Sequence, residues 1–147
     1  MNEKFSVIVE GGGQVGKGDA VCNLSRELAN EGYDVCVVSF PCYATPIGNA
    51  VREVLTKDTF FKLGFDPDEE ISCKMALFAL NRLEVLNSIL QDNEDTLYVC
   101  DRGPFSNALT IAYGIAQGRV DASEVDSLVD EALLLDSFFR RCMNSDR

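Results

Sequence analysis

Residues 5–20, FSVIVEGGGQVGKGDA, decide the fold. The first six form a short apolar run ended by three glycines, which predicts a buried β-strand. From Lys17 the pattern turns helical: Val21, Leu24 and Leu28 share one face, and Gly32 stops the helix. Between strand and helix, G-x-x-x-x-G-K is satisfied at Gly11, Gly16 and Lys17. A glycine-rich turn at this junction aims successive backbone N–H groups at one point. The helix N-terminus adds a partial positive charge and the lysine a full one. Gly11, Gly13, Gly16, Lys17, Gly18 and Asp19 are the expected contacts of a nucleotide's phosphates. The pattern departs at Gly18, where a hydroxyl residue is usual, and at Asp19. A carboxylate in the first helical turn favours the helix without a ligand and repels a phosphate. Weakened ATP binding is therefore expected.

Outward from this junction, strand and helix signals alternate. DVCVVSF (34–40) reads as a second buried strand closed by Pro41, and residues 46–56 as a helix with Pro46 in its first turn. Residues 60–68 read as a loop. A long helix follows from about 69 to 90, with Ile71, Met75, Phe78, Arg82, Val85 and Ile89 on one face. It is apolar on most sides, which predicts a buried helix. TLYVCD (96–101) is the third buried strand, with a helix after it near 104–117. The last helix starts at D-A-S-E (121–124), a capping box with Asp121 as the cap. Short apolar strands alternating with amphipathic helices imply βαβ units. The expected fold is α/β, a three-layer αβα sandwich whose parallel sheet is covered on both faces, as one domain over residues 1–147.

Composition narrows the function. A net charge of −11 argues against a nucleic-acid or membrane surface, since both want clustered Lys and Arg. An anionic substrate then needs a local basic pocket. The six cysteines include no C-x-x-C pair and there is no histidine, which disfavours zinc. Cysteines inside apolar runs suit a reducing cytoplasm. No signal peptide or membrane span is read.

Asp101 ends the third apolar strand, where a carboxylate holds Mg²⁺, directly or through water, beside the phosphates. Arg102 follows, and its planar fork suits phosphate. Phe78 and Arg82 are neighbours on one helix face. A ring for stacking beside a fork for hydrogen bonding suits a nucleobase. Spacing alone favours the plainer description, a core phenylalanine beside an arginine that reaches along its stem to water.

Four blocks in order, EGGGQVGKG, FPCYATPIGNAVREVL (40–55), LFALNRLE (77–84) and DRGPFSNA (101–108), resemble the thymidylate kinases, P-loop nucleoside monophosphate kinases. Adenylate-kinase-like loops also carry glycine where Gly18 stands. The resemblance implies a P-loop nucleotide kinase fold and transfer of the ATP γ-phosphate to dTMP, giving dTDP, with Mg²⁺ as cofactor. It implies that Lys17, Asp101 and Arg102 are catalytic. Phe40, Pro41, Tyr43, Phe78, Arg82, Arg102, Ser106 and Asn107 would bind the acceptor, with Phe78 stacking on thymine. A homodimer through the helix bearing Phe78 is implied too. Strand order 2-3-1 is expected, with an unpaired edge at strand 1.

Several positions depart from the family pattern. Gly13 stands where an aspartate tied to the acceptor sugar and metal is usual. Cys42 and Tyr43 occupy a stretch where an arginine is common. Gly103 and Thr110 stand where aromatics are expected. The family continues into a further strand, an arginine-bearing lid and a last strand and helix beyond the position of Arg147, so a truncated form is expected. The alternatives are a degenerate or truncated nucleotide-binding module without catalysis, or a deoxynucleoside kinase with Glu10 as its base.

Overall fold

The computed structural model describes residues 6–12, 16–91 and 95–143. In chain order the elements are β1 (Ser6–Val9), α1 (Lys17–Asn30), β2 (Val35–Ser39), α2 (Pro46–Thr56), α3 (Thr59–Lys62), α4 (Pro67–Gln91), β3 (Leu97–Asp101), α5 (Ser106–Ala116) and α6 (Val125–Met143). The three strands form one parallel sheet in the order β1-β3-β2, with β3 central. This is the expected order. A parallel neighbour needs a crossover, and each crossover here carries a helix.

The sheet departs from expectation in its burial. All three apolar runs predict buried strands and a sheet covered on both faces. Only β3 is buried, with Val99 at 0% exposure. Val7 and Ile8 on β1 and Val37 on β2, at 47%, are exposed. The reason is the coverage. α1 packs against β2 and β3, and on the opposite face Val85 and Ile89 of α4 close over Phe40, Cys100 and Val38. The central strand is covered by both layers and the edge strands only in part.

The larger apolar core lies among helices. Ile71 and Met75 of α4 meet Ile111 of α5 and Leu128 of α6, with Val120, Ala132 and Leu135 around them. α4 packs against α2, α5 and α6, which agrees with its apolar character on most sides. Pro67 opens it, because a first helical position needs no N–H.

Two local expectations are corrected. The segment read as a loop at 60–68 overlaps α3, a single turn whose Phe60 is buried, with its ring centroid 5.7 Å from that of Phe65. So short a turn has no period to betray it. The capping box at 121–124 is not formed: the Asp121 side chain makes no cap hydrogen bond. Its carbonyl accepts from the Glu124 N–H at 2.9 Å, which makes residues 122–124 a 3₁₀ turn. Cys22, Cys36, Cys42, Cys73 and Cys100 are free thiols, and the Cys142 side chain lies outside the described part. Among the described residues no helix is long and apolar enough to cross a membrane.

Candidate functional site

The three strands point the same way, so the segments following them leave the sheet at one edge, where open α/β sheets bind ligands. Val9 and Ser39 are both register partners of Asp101. The ladder continues one step past the strands: Phe40 N–H donates to the Asp101 carbonyl and Arg102 N–H to the Val9 carbonyl, each at 2.9 Å. Arg102 sits at φ 73°, a left-handed conformation costing an L-residue roughly 1–2 kcal/mol. The turn this makes carries its side chain into the crevice.

Gly16 caps α1 at φ 84°, a conformation that suits glycine at the mouth of the loop. Lys17 follows as the first helical residue, and its Nζ pairs with Asp101 Oδ1 across the crevice. The structure thus brings together two of the predicted residues, 84 positions apart in the chain. Gly11 leads into the loop, Gly18 and Asp19 are exposed in the first turn of α1, and Gly13 lies outside the described residues. Among the described residues no cluster of three or more His, Cys, Asp or Glu could cage a metal ion.

Beside this pair a cavity of about 40 Å³ is lined by Phe40, Pro41, Phe78, Arg82, Arg102, Ser106 and Thr110. Six of these are predicted acceptor residues. The enclosed part is too small for a whole nucleotide, so a ligand of that size would extend through its open mouth. The Phe40–Pro41 peptide is cis. Arg82 is 3% exposed, which excludes the reading of a side chain reaching for water. Burial pushes its guanidinium down to about 10, against the opposing charges of Glu10 and Asp136, so it stays cationic at neutral pH. Among the described residues its Nε has no hydrogen-bond partner. Asn107 is 1% exposed, and both polar atoms of its amide are also unpartnered. It lies next to Ser106 rather than on the cavity wall. Tyr43 is outside the cavity, half-exposed, with the Arg52 guanidinium 5.5 Å from its ring centroid.

The structure adds residues that the sequence reading passed over. Asn81, 0% exposed, holds the segment after Phe40 in place. Its Oδ1 accepts from Cys42 N–H at 2.7 Å, and its Nδ2 donates to the Cys42 carbonyl and to Thr45 Oγ1, each at 3.1 Å. Thr45 caps α2, accepting from Gly48 N–H at 3.0 Å. Glu84 Oε1 accepts from Ile47 N–H at 3.2 Å. Burial pushes the Glu84 carboxyl up, but the hydrogen bonds from Thr45, Ile47, Asn81 and Gly48 outweigh it and hold the group below its ordinary range. A Cβ on Gly48 would lie 1.7 Å from the Cys42 carbonyl oxygen, so only glycine fits. The signal was present in LFALNRLE: an amide inside an apolar buried helix needs partners. The identity of those partners was not readable.

The family model described as thymidylate kinase matches residues 9–139. No curated protein matches the sequence. Among solved structures, the chain is similar to the thymidylate kinase of Candida albicans, a structure described as revealing the origin of broad substrate specificity and a novel structural element. The TM-score is 0.63 at 24% identity, covering 91% of this chain and 56% of that one. The likeness shows the same fold, and the chain spans little more than half the length of that kinase. With the family model matching most of its length, the chain belongs to the thymidylate kinase family.

Proposed function

We propose that this chain carries the acceptor pocket and phosphate loop of a nucleoside monophosphate kinase, which transfers the γ-phosphate of ATP to dTMP. One observation carries the reading: Lys17 and Asp101 meet at the mouth of the glycine-rich loop, beside a cavity walled by Phe78, Arg82 and Arg102. Gly11, Gly16, Lys17 and the first turn of α1 would cradle the donor phosphates. Arg102 would take the acceptor phosphate with its planar fork. Phe78 would stack on the base, and the unpartnered Arg82 Nε and Asn107 amide would hydrogen-bond its edge. Ser106, Phe40 and Pro41 would close the sugar side.

Mg²⁺ fits this donor set. It keeps several waters and binds through one or two carboxylates plus substrate phosphates rather than in a protein cage. Asp101 is one such carboxylate, and when bound the ion would supply charge neutralisation across the phosphates. This chain's own work in phosphoryl transfer is positioning and charge stabilisation. Lys17, released from Asp101, would follow the charge to the transferred group. No covalent intermediate is needed. Five free thiols suit a reducing cytoplasm. A homodimer belongs to the same reading, supported by the exposed Leu80 on the helix that carries Phe78.

The test is ADP release with ATP and Mg²⁺ in the presence of dTMP, dUMP, UMP, CMP or AMP, alongside thermal stabilisation by each. ADP formation with dTMP above the others supports the reading. Saturable stabilisation without ADP would leave a binding module, and no response to any nucleotide would refute the proposal.

A further inference from the structure

The glycine-rich loop needs a brace from outside itself. Gly11 and Gly12 carry no side chains to pack, and glycine has more backbone freedom than any other residue. Among the described residues the last ladder bond on β1 is Arg102 N–H to the Val9 carbonyl, which stops short of the glycines. Beyond it, α5 supplies the contacts. Ser106 Oγ donates to Glu10 Oε2 at 2.8 Å. About two turns later on the same helix, the Tyr113 hydroxyl stands against the loop: a Cβ added to Gly12 would lie 3.0 Å from Tyr113 Oη. The bare Cα of Gly12 is what leaves room for that hydroxyl.

Tyr113 is carried by a rigid part of α5. Before it, Ile111 is 4% exposed in the core shared with α4 and α6. After it, Gly114 lets α5 press onto α4, since a Cβ there would lie 2.5 Å from Ile71 Cδ1. A side chain held between two such anchors can fix a neighbour that cannot fix itself. Ser106, Thr110 and Tyr113 are spaced to share one face of α5. The first two line the acceptor cavity and Tyr113 does not. One helix face therefore walls the cavity at its start and meets the glycine-rich loop farther on.

We propose that Tyr113 is a positioning residue for the donor nucleotide: its hydroxyl sets the path of the loop backbone at Gly12, and with it the aim of the loop's N–H groups at the phosphates of ATP. The inference rests on the kinase reading above and names what holds the phosphate loop within it. Position matters because hydrogen bonds weaken steeply with misalignment, and several N–H groups of one loop move together. Tyr113 and Gly12 bring no charge near neutral pH, so the effect is geometric. Phe78, Arg82 and Arg102 on the cavity wall are not touched by it.

The experiment is a double-mutant cycle of Gly12→Ala and Tyr113→Phe, read by calorimetry as the Kd for ATP with Mg²⁺ and, separately, the Kd for dTMP. Gly12→Ala drives a methyl against the hydroxyl, and Tyr113→Phe removes the hydroxyl. Each alone weakens ATP binding roughly 3- to 10-fold. In the double variant the methyl occupies the space the hydroxyl left, so ATP binds within about 3-fold of wild type instead of losing both factors. The Kd for dTMP stays within about 2-fold of wild type throughout. If Gly12→Ala fails to fold, Tyr113→Phe alone carries the test through the same split between ATP and dTMP. Unchanged ATP binding in Tyr113→Phe, or losses that simply multiply in the double variant, overturns the inference while the kinase reading stands. So does a parallel loss of ATP and dTMP binding, which would assign Tyr113 to the packing of α5. A wild type that binds neither nucleotide refutes the kinase reading itself, and the inference with it.

Discussion

Replacing Asn81 with leucine tests whether the pocket is held by the buried network behind it. The two side chains share heavy-atom count and branching, so the shape is kept although the leucine methyls are bulkier, while every polar contact is lost. Cys42 N–H loses its 2.7 Å acceptor, and the Cys42 carbonyl and Thr45 Oγ1 each lose a donor at 3.1 Å. The carbonyl keeps its bond from Thr45 Oγ1 at 3.1 Å, so the main orphan is one N–H. An unsatisfied buried donor costs about 1–3 kcal/mol, and each of the two ordinary bonds lost about 1 kcal/mol, for a total near 3–5 kcal/mol. For a chain of this size that lowers Tm by roughly 6–20 °C. The functional effect is separable. Cys42 adjoins the Phe40–Pro41 wall of the cavity, so the KM for dTMP rises, while ATP stabilisation stays near wild type because Lys17 and Asp101 are untouched. Denaturant midpoints, thermal melts and the two nucleotide titrations measure these quantities. A Tm within about 2 °C of wild type with unchanged dTMP response would refute the claim that Asn81 positions the pocket.

Four further expectations follow from the same contacts. Lys17→Met removes the cation beside Asp101 and should lower kcat by roughly 100-fold or more with saturating dTMP, read as ADP release; a near-normal kcat would remove Lys17 from the mechanism. Gly48→Ala drives a Cβ into the Cys42 carbonyl oxygen, at 1.7 Å, and should destabilise by at least about 2 kcal/mol in urea, whereas a neutral outcome would mean that the loop is not fixed as described. The Glu84 carboxyl is held below its ordinary range, so its contribution is full above the unfolded value and is lost as pH falls through the folded one. Glu84→Gln should therefore be less stable than wild type near pH 7, with the gap closing as pH falls below the ordinary carboxylate range; a pH-independent gap would assign the effect to packing. Asp19 is exposed in the first turn of α1, so Asp19→Thr should raise ATP affinity in calorimetry, and an unchanged Kd would show that the carboxylate does not oppose the phosphates.

The legible part of the fold was local. FSVIVE, VCVVSF and TLYVCD declared strands by composition, and β1, β2 and β3 fall within them. α1, with Gly16 and Lys17 at its start, declared itself by the strand–loop–helix order, because a glycine-rich junction of this kind is written in consecutive residues. Burial of those strands was not legible. An apolar run says that a strand tolerates burial, but whether Val37 is covered depends on how far α1 and α4 extend across the sheet, which is a tertiary quantity. α3 escaped because four residues carry no readable period, and the Asp121 cap failed because a 3₁₀ turn with the same residues was available.

The candidate site divides the same way. Lys17, Asp101, Phe78, Arg82 and Arg102 are residue types whose chemistry is visible wherever they stand, and their motifs named them. Their meeting is a consequence of parallel strands releasing three segments at one edge. Arg82 illustrates the limit: its spacing favoured a side chain reaching to water, and only the structure shows that it is buried, at 3% exposure. Asn81 and Glu84 were hidden because their roles lie in partners 36 to 39 residues away, and periodicity reports only neighbours within a few turns. By itself the sequence determined the strands and long helices, the glycine-rich loop and the residue types that meet at the cavity. The tertiary structure alone decided which polar groups among the described residues are buried without partners, because burial is a property of packing between elements and not of any one of them.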